Sequence, residues 1–181
     1  ITRGYKAGGA NIYPFIDPSI PIIYDTEHLW NYELGLRSEW FEGAVLSQIT
    51  FFYLDREDAQ VRGSSGTGID FSYFTGNGDG GEHHGVEAEA TWFINEQFTL
   101  LLAGGLLETD RDPFALPGVP TVVYRAGEVS NAPSYTYSSR LDYDAGNGLF
   151  ASAEVVGSDE YYESDSHLEK RIAFTVVNAS I

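Results

Sequence analysis

Polar and apolar residues alternate along much of this chain. From 30 to 40 the even positions are Trp30, Tyr32, Leu34, Leu36, Ser38 and Trp40, apolar or aromatic except for the serine. The odd positions, Asn31, Glu33, Gly35, Arg37 and Glu39, hold no large apolar side chain. Residues 84 to 94 repeat the pattern, with His84, Val86, Ala88, Ala90, Trp92 and Ile94 set against Gly85, Glu87, Glu89, Thr91 and Phe93. Residues 133 to 145 show it with opposite parity: Tyr135, Tyr137, Leu141, Tyr143 and Ala145 face one way, and Ser134, Thr136, Ser138, Arg140, Asp142 and Asp144 the other. A period of two marks a strand with one wet and one apolar face. Less regular strands are predicted at about 44–56, 97–109, 149–162 and 171–181. In 97–109 both faces are apolar or small, and the pair Gly104-Gly105 predicts a bend or a close backbone approach. No helix-period segment of useful length occurs, so the predicted fold class is all-β and antiparallel.

The connections alternate in length. Trp40 to Gly43, Asn95-Glu96 and Gly146 to Gly148 have the residues of tight hairpin turns. Residues 57–82 and 110–132 are long, Gly/Ser-rich in the first case and marked by Pro113, Pro117 and Pro120 in the second. Two such loops are unusual in a small soluble domain. Short turns on one rim and long loops on the other are the pattern of transmembrane barrels.

Alternation alone leaves open which face is inside. Length separates the two readings. Trp30 and Trp40 share a parity and lie ten steps apart. At ~3.3 Å per residue and ~45° tilt this is roughly 23 Å along a membrane normal, close to the ~25 Å apolar band that aromatic girdles flank in such barrels. On that reading Glu33, Arg37, Glu39, Glu87, Glu89, Arg140 and Asp142 face a polar lumen.

Composition narrows the partners. The 181 residues include 27 acidic and only 10 basic ones, for a net charge of −17. Phosphate recognition needs clustered Lys and Arg, so nucleic acid is not an expected partner. With no Cys there is neither a disulfide framework nor a thiolate metal site. No apolar run approaches the ~20 residues of a spanning helix, whereas a barrel strand needs only ~9–11. The lack of Met and of a leader-like N-terminus predicts a piece of a longer chain.

Candidate chemistry is sparse. Glu87 and Glu89 share a face, and paired carboxylates serve acid–base catalysis in glycosidases. No nucleophile or metal frame accompanies them, so they read as lumen wall and no catalytic residue is predicted. His83-His84 follows a Gly-rich loop, but adjacent residues of a strand point opposite ways and chelate one ion poorly. Gly76 to Gly81 lacks the Lys of a phosphate loop and the distal Glu of a Ca²⁺ loop, and reads as a mobile loop. Asn178-Ala179-Ser180 fits a glycosylation sequon but falls in a strand. Asp55, Glu57, Asp58, Asp110, Asp112, Asp159, Glu160, Glu163 and Asp165 gather at the long-loop end, where solubility accounts for them. No metal site and no cofactor are expected.

Several short segments, taken in order, resemble the TonB-dependent outer-membrane receptors. Arg3 to Asn11, RGYKAGGAN, is similar to that family's RGYKAGGxN segment. Tyr24-Asp25-Thr26-Glu27 and then Asn31 to Ser38 resemble its Y-x-P-E turn and following strand, with Thr26 for the usual Pro and Arg37 for the usual Lys. Phe52-Tyr53, Asp58, Gln60-Val61, Gly85 to Glu89, Ala132-Pro133 and Val176 to Ala179 continue the match. The resemblance implies about eight of the ~22 strands of a plugged outer-membrane barrel, from its C-terminal half, without the plug, the early strands or the final strands. It implies a receptor in the Gram-negative outer membrane that takes up a ferric siderophore or similarly scarce nutrient, energised through TonB. Its partners would be outer-membrane lipid, its own plug domain, the TonB complex and the nutrient, here an iron chelate. Tyr5, Lys6, Tyr73, His83, His84, Tyr124 and Arg125 are the extracellular loop residues expected to meet ligand. A passive porin or adhesin barrel and a soluble carbohydrate-binding β-sandwich are the rival readings.

Overall fold

The computed structural model describes residues 1–12, 20–68, 71–116, 119–124, 126–164 and 167–181. In chain order its strands are β1 (Thr2–Lys6), β2 (Gly9–Ala10), β3 (Ile23–Tyr24), β4 (Glu27–Trp40), β5 (Val45–Glu57), β6 (Gln60–Ser65), β7 (Ser72–Asn77), β8 (Gly81–Phe93), β9 (Phe98–Arg111), β10 (Phe114–Leu116), β11 (Val119–Tyr124), β12 (Tyr135–Asp144), β13 (Phe150–Ser158), β14 (Tyr161–Tyr162), β15 (Lys170–Arg171) and β16 (Phe174–Ser180). β1, β4, β5, β8, β9, β12, β13 and β16 pair in that order as one eight-stranded antiparallel sheet. The other strands form four hairpins, β2–β3, β6–β7, β10–β11 and β14–β15, one inside each long connection. The short turns are formed as the sequence predicts. At the first, the Ala44 N–H donates to the Phe41 carbonyl at 3.1 Å, and Glu42 and Gly43 have φ of 58° and 90°. Those values match the right-handed twist of the flanking strands. At the second, Asn95 Oδ1 accepts from the Gln97 and Phe98 N–H groups, each at 2.9 Å.

The long connections differ from expectation. Residues 57–82 are not an open loop. β6 and β7 pair over six residues, from Gln60↔Asn77 to Ser65↔Ser72. QVRGSS and SYFTGN carry no period-two pattern, because Gly and Ser hold five of the twelve positions and the apolar residues do not alternate. The segment read as a mobile Gly-rich loop therefore begins inside a paired strand, at Gly76 and Asn77. β10 and β11 likewise occupy the proline-marked connection. The strand expected over 149–162 ends at Ser158, and that over 171–181 is divided between β15 and β16. Gly104 and Gly105 neither interrupt β9 nor mark a close approach. A Cβ at either would meet only ordinary contacts, with Thr136 O at 3.4 Å and Glu87 Cγ at 3.6 Å respectively.

Two compact units can be distinguished. The first comprises 1–32, 53–83 and 109–129, and contains hairpins β2–β3, β6–β7 and β10–β11. Its centre is Ile20 against Phe74, each 3% exposed, with Val61 and Tyr124 packed on them. The second comprises 33–52, 84–108 and 130–181. It has no buried apolar side chain among the described residues. Leu34 is 73% exposed, Leu36 61%, Leu106 59% and Val177 71%. A soluble sandwich buries its apolar face against a second sheet. Here the unit's apolar side chains stay exposed, with none buried among the described residues, which argues against the sandwich.

Candidate functional site

In the first unit the hairpins enclose a cleft of about 770 Å³. Tyr24, Tyr73, Phe74 and Tyr124 supply aromatic walls, Asn11 a primary amide and Arg62 a cation. Local chain geometry sets these groups. β2 and β3 pair as Gly9↔Tyr24 and Ala10↔Ile23. Gly8 and Gly9 permit that pairing. A Cβ at Gly8 would lie 2.5 Å from the Tyr24 carbonyl oxygen, and one at Gly9 would strike the Tyr24 ring and hydroxyl. Tyr73 is 72% exposed and meets Phe71 edge to face at 4.9 Å. Tyr124 stacks on Phe114 at 4.8 Å. The buried Arg111 guanidinium lies over both of those rings, at 5.7 and 5.6 Å.

Polar contacts fasten the connections to one another. Glu27 Oε1 accepts from Arg56 Nε at 2.8 Å, and Glu27 Oε2 from the Gln60 N–H at 2.7 Å. Burial pushes the Glu27 carboxyl up, but the Arg56 guanidinium, the Gln60 N–H and the charge of Lys6 together hold it below its ordinary value near 4.5. The Gln60 side chain donates to the carbonyls of Ala7 at 2.9 Å, Asp25 at 3.0 Å and Lys6 at 3.2 Å. Thr26, standing where proline was expected, accepts from the Gly8 N–H through its hydroxyl at 3.2 Å. Proline has no side-chain oxygen to make that contact.

The structure brings together two of the residues predicted to meet ligand, Tyr73 and Tyr124, on the cleft. Tyr5, Lys6, His83 and His84 are not among the residues that line it. Tyr5 and Lys6 belong to β1, paired with His28 and Glu27 of β4, and His83 and His84 belong to β8. These four are therefore strand residues and not loop residues: no alternation marked β1, and β8 begins at Gly81, ahead of the alternating segment that already held His84. His84 Nε2 lies 3.3 Å from Glu108. Arg125 is outside the described residues, as is Asp165. Asn11, Tyr24 and Arg62 line the cleft without having been singled out. The first two stood within the RGYKAGGAN and Tyr24-Asp25-Thr26-Glu27 segments, and that was the available signal; Arg62 carried none.

In the second unit the polar face carries the charges that alternation predicts. Arg37, Glu39, Glu89 and Arg140 line one open cavity of about 800 Å³ together with Gln48 and Glu154. Glu87 and Glu89 line another of about 660 Å³. Arg37 Nε donates to Gln48 Oε1 at 2.6 Å, Arg140 Nε to Asp142 Oδ1 at 2.7 Å, and Asn178 Nδ2 to Glu154 Oε2 at 3.2 Å. Glu33 occupies the same odd-numbered positions of β4 as Arg37 and Glu39. Such cross-strand and same-strand pairs fit a wetted wall. No nucleophile–base arrangement accompanies Glu87 and Glu89 among these contacts.

The sequence profile of the family described as "TonB dependent receptor-like, beta-barrel" matches residues 1–181. The chain belongs to that family. Solved structures agree on the fold. The ferric yersiniabactin uptake receptor of Yersinia pestis superposes with a TM-score of 0.74 at 21% identity, over 98% of this chain and 25% of that one. The siderophore receptor PiuA of Acinetobacter baumannii gives 0.66 at 15% identity, over 86% and 22%. A mutant of the ferric enterobactin receptor of Pseudomonas aeruginosa gives 0.59 at 15% identity, over 97% and 28%. The chain thus spans about a quarter of the length of these proteins. As part of a TonB-dependent receptor barrel it is outer-membrane wall of a Gram-negative cell. The family is one of receptors and not of enzymes. The uncovered apolar face of β4, β5, β8 and β9 is what such a wall turns towards lipid.

Proposed function

We propose that this chain is wall and loop layer of a receptor that imports a ferric siderophore or a similarly scarce iron chelate, energised through TonB. The observation that carries the reading is the aromatic cleft with Arg62 and Asn11 among the long connections. Aromatic faces and one cation suit a large, flat, anionic chelate. The similar structures, which are siderophore receptors including those for ferric yersiniabactin and ferric enterobactin, favour the same cargo. On this reading the face bearing Glu33, Arg37, Glu39, Glu87, Glu89, Arg140 and Asp142 looks into the lumen and towards a plug domain. The iron chelate is cargo, and no resident cofactor is required. The TonB complex would act on the plug.

Growth under iron limitation tests this. The full-length gene is expressed in a Gram-negative host lacking its own chelate receptors and supplied separately with ferric yersiniabactin and ferric enterobactin. Rescue by at least one is expected. Tyr73→Ala and Arg62→Ala should each raise the half-saturating concentration about tenfold at equal receptor abundance. Failure of every iron chelate, with receptor present in the outer membrane, overturns the proposal.

A further inference from the structure

Two asparagines of the first unit make the same unusual contact in opposite directions. Asn11, just after β2, spends its amide on one residue of β7. Its Nδ2 donates to the Thr75 carbonyl at 2.8 Å, and its Oδ1 accepts from the Thr75 N–H at 2.8 Å. Nδ2 also donates to the Pro21 carbonyl at 2.7 Å, and the Asn11 N–H to the Ile22 carbonyl at 2.9 Å. Asn77, at the end of β7, does the converse to the residue after β3. Its Oδ1 accepts from the Asp25 N–H at 2.6 Å, and its Nδ2 donates to the carbonyls of Asp25 at 3.1 Å and Asp58 at 2.9 Å.

A primary amide presents an acceptor and donors side by side, so it can meet a backbone C=O and N–H as a neighbouring strand would. One such contact leaves two segments free to swivel about it. Two contacts, made from opposite sides and two residues apart on β7, do not. Tyr24 precedes Asp25 directly, and Tyr73 lies two residues before Thr75. The fastened backbone positions therefore adjoin, by one and by two residues, those that carry two of the cleft's aromatic walls.

We propose that Asn11 and Asn77 are positioning residues, a two-point amide lock that joins hairpins β2–β3 and β6–β7 into one body and holds Tyr24 and Tyr73 facing the cleft before ligand arrives. The role in uptake rests on the function proposed above; the lock itself does not. Ordering that is already present in the free receptor need not be supplied on binding, which is how preorganisation raises affinity.

The test uses the full-length receptor in outer-membrane vesicles. Spin labels are attached at Ile22→Cys and Ser64→Cys, both exposed positions in a segment that contributes no cysteine of its own. Without ligand, pulsed dipolar spectroscopy should give one narrow distance distribution. Asn11→Asp and Asn77→Asp should broaden it at neutral pH, because a carboxylate accepts but cannot donate to the Thr75 or Asp25 carbonyl. As pH falls through about 4 to 5, the protonated Asp regains a donor and the distribution should narrow again. A general packing defect would not reverse in that way. Should Asn11→Asp fail to fold, Asn77→Asp decides alone, since its contacts are exposed. With ferric yersiniabactin as probe, Asn77→Asp should raise half-saturation about tenfold and leave the saturated transport rate unchanged. A distribution as narrow as the parent's at neutral pH overturns the lock, as does broadening that acid does not reverse. Broadening with unchanged half-saturation overturns the positioning role. If the parent takes up no iron chelate, the proposed function fails while the label distances still decide the lock.

Discussion

Glu27 shows how much of the loop layer depends on single side chains. Its carboxylate takes the Arg56 guanidinium and the Gln60 N–H at once, so its ionised form is the one that binds β6 to β4. The folded pKa lies below the ordinary value near 4.5. The stabilisation is therefore complete above that value and is lost as pH falls through the lower, folded one. Hydrogen exchange of residues 58–68 and 71–77 should be slow and level from neutral pH down to that ordinary value and should quicken below it, once corrected for intrinsic rates. Glu27→Gln should abolish that acid step and show faster exchange at neutral pH. Gln60 works the other way, as a donor to three carbonyls of the neighbouring connection. Both residues stand in segments that the family resemblance picked out, yet a single sequence shows neither partner. The contacts of Gln60 with Ala7 and Lys6 bridge 53 and 54 positions.

Strands are where sequence reasoning was strong and hairpins where it was weak, for one reason. A wall strand faces two different media, so its side chains must alternate, and β4, β8 and β12 fall where alternation puts them. A loop hairpin faces neither lipid nor a polar lumen along its length, so β6 and β7 carry no such record. The cleft was half legible. Tyr73 and Tyr124 were identifiable as aromatic residues in long connections. Asn11 makes contacts that only the folded connections create, and Arg62 reaches the cleft only through the pairing of β6 with β7. Glycines divide in the same manner. A Cβ at Gly85 would collide with the Leu106 carbonyl oxygen and sit 2.7 Å from the Phe52 ring, whereas Gly105 has room. Gly85→Ala should lower the stability of the full-length receptor by about 1–3 kcal/mol in detergent thermal melts. Gly105→Ala should stay within about 0.5 kcal/mol. Equal losses at the two sites would contradict the close approach of Leu106 and Phe52 to Gly85.

For the molecule as a whole, the deciding feature is the apolar face whose side chains stay exposed among the described residues. Leu36, midway along β4, is 61% exposed on that face, while Gln48 of β5 lies on the opposite one against Arg37. Leu36→Arg should therefore cost about 2–4 kcal/mol of folding free energy in lipid vesicles, and Gln48→Arg much less. Comparable costs would mean that the two faces have been assigned the wrong way round. The same face has a meaning for the protein's life before it reaches its membrane. In an ordinary domain the hydrophobic core travels inside the chain. Here the solvent that completes the fold lies at the destination, and the route to an outer membrane crosses water. Until it arrives, the polypeptide is a set of long, greasy, hydrogen-bond-hungry strands with every incentive to pair with other copies. Its survival in transit is then a matter of escort and speed, not of its own stability.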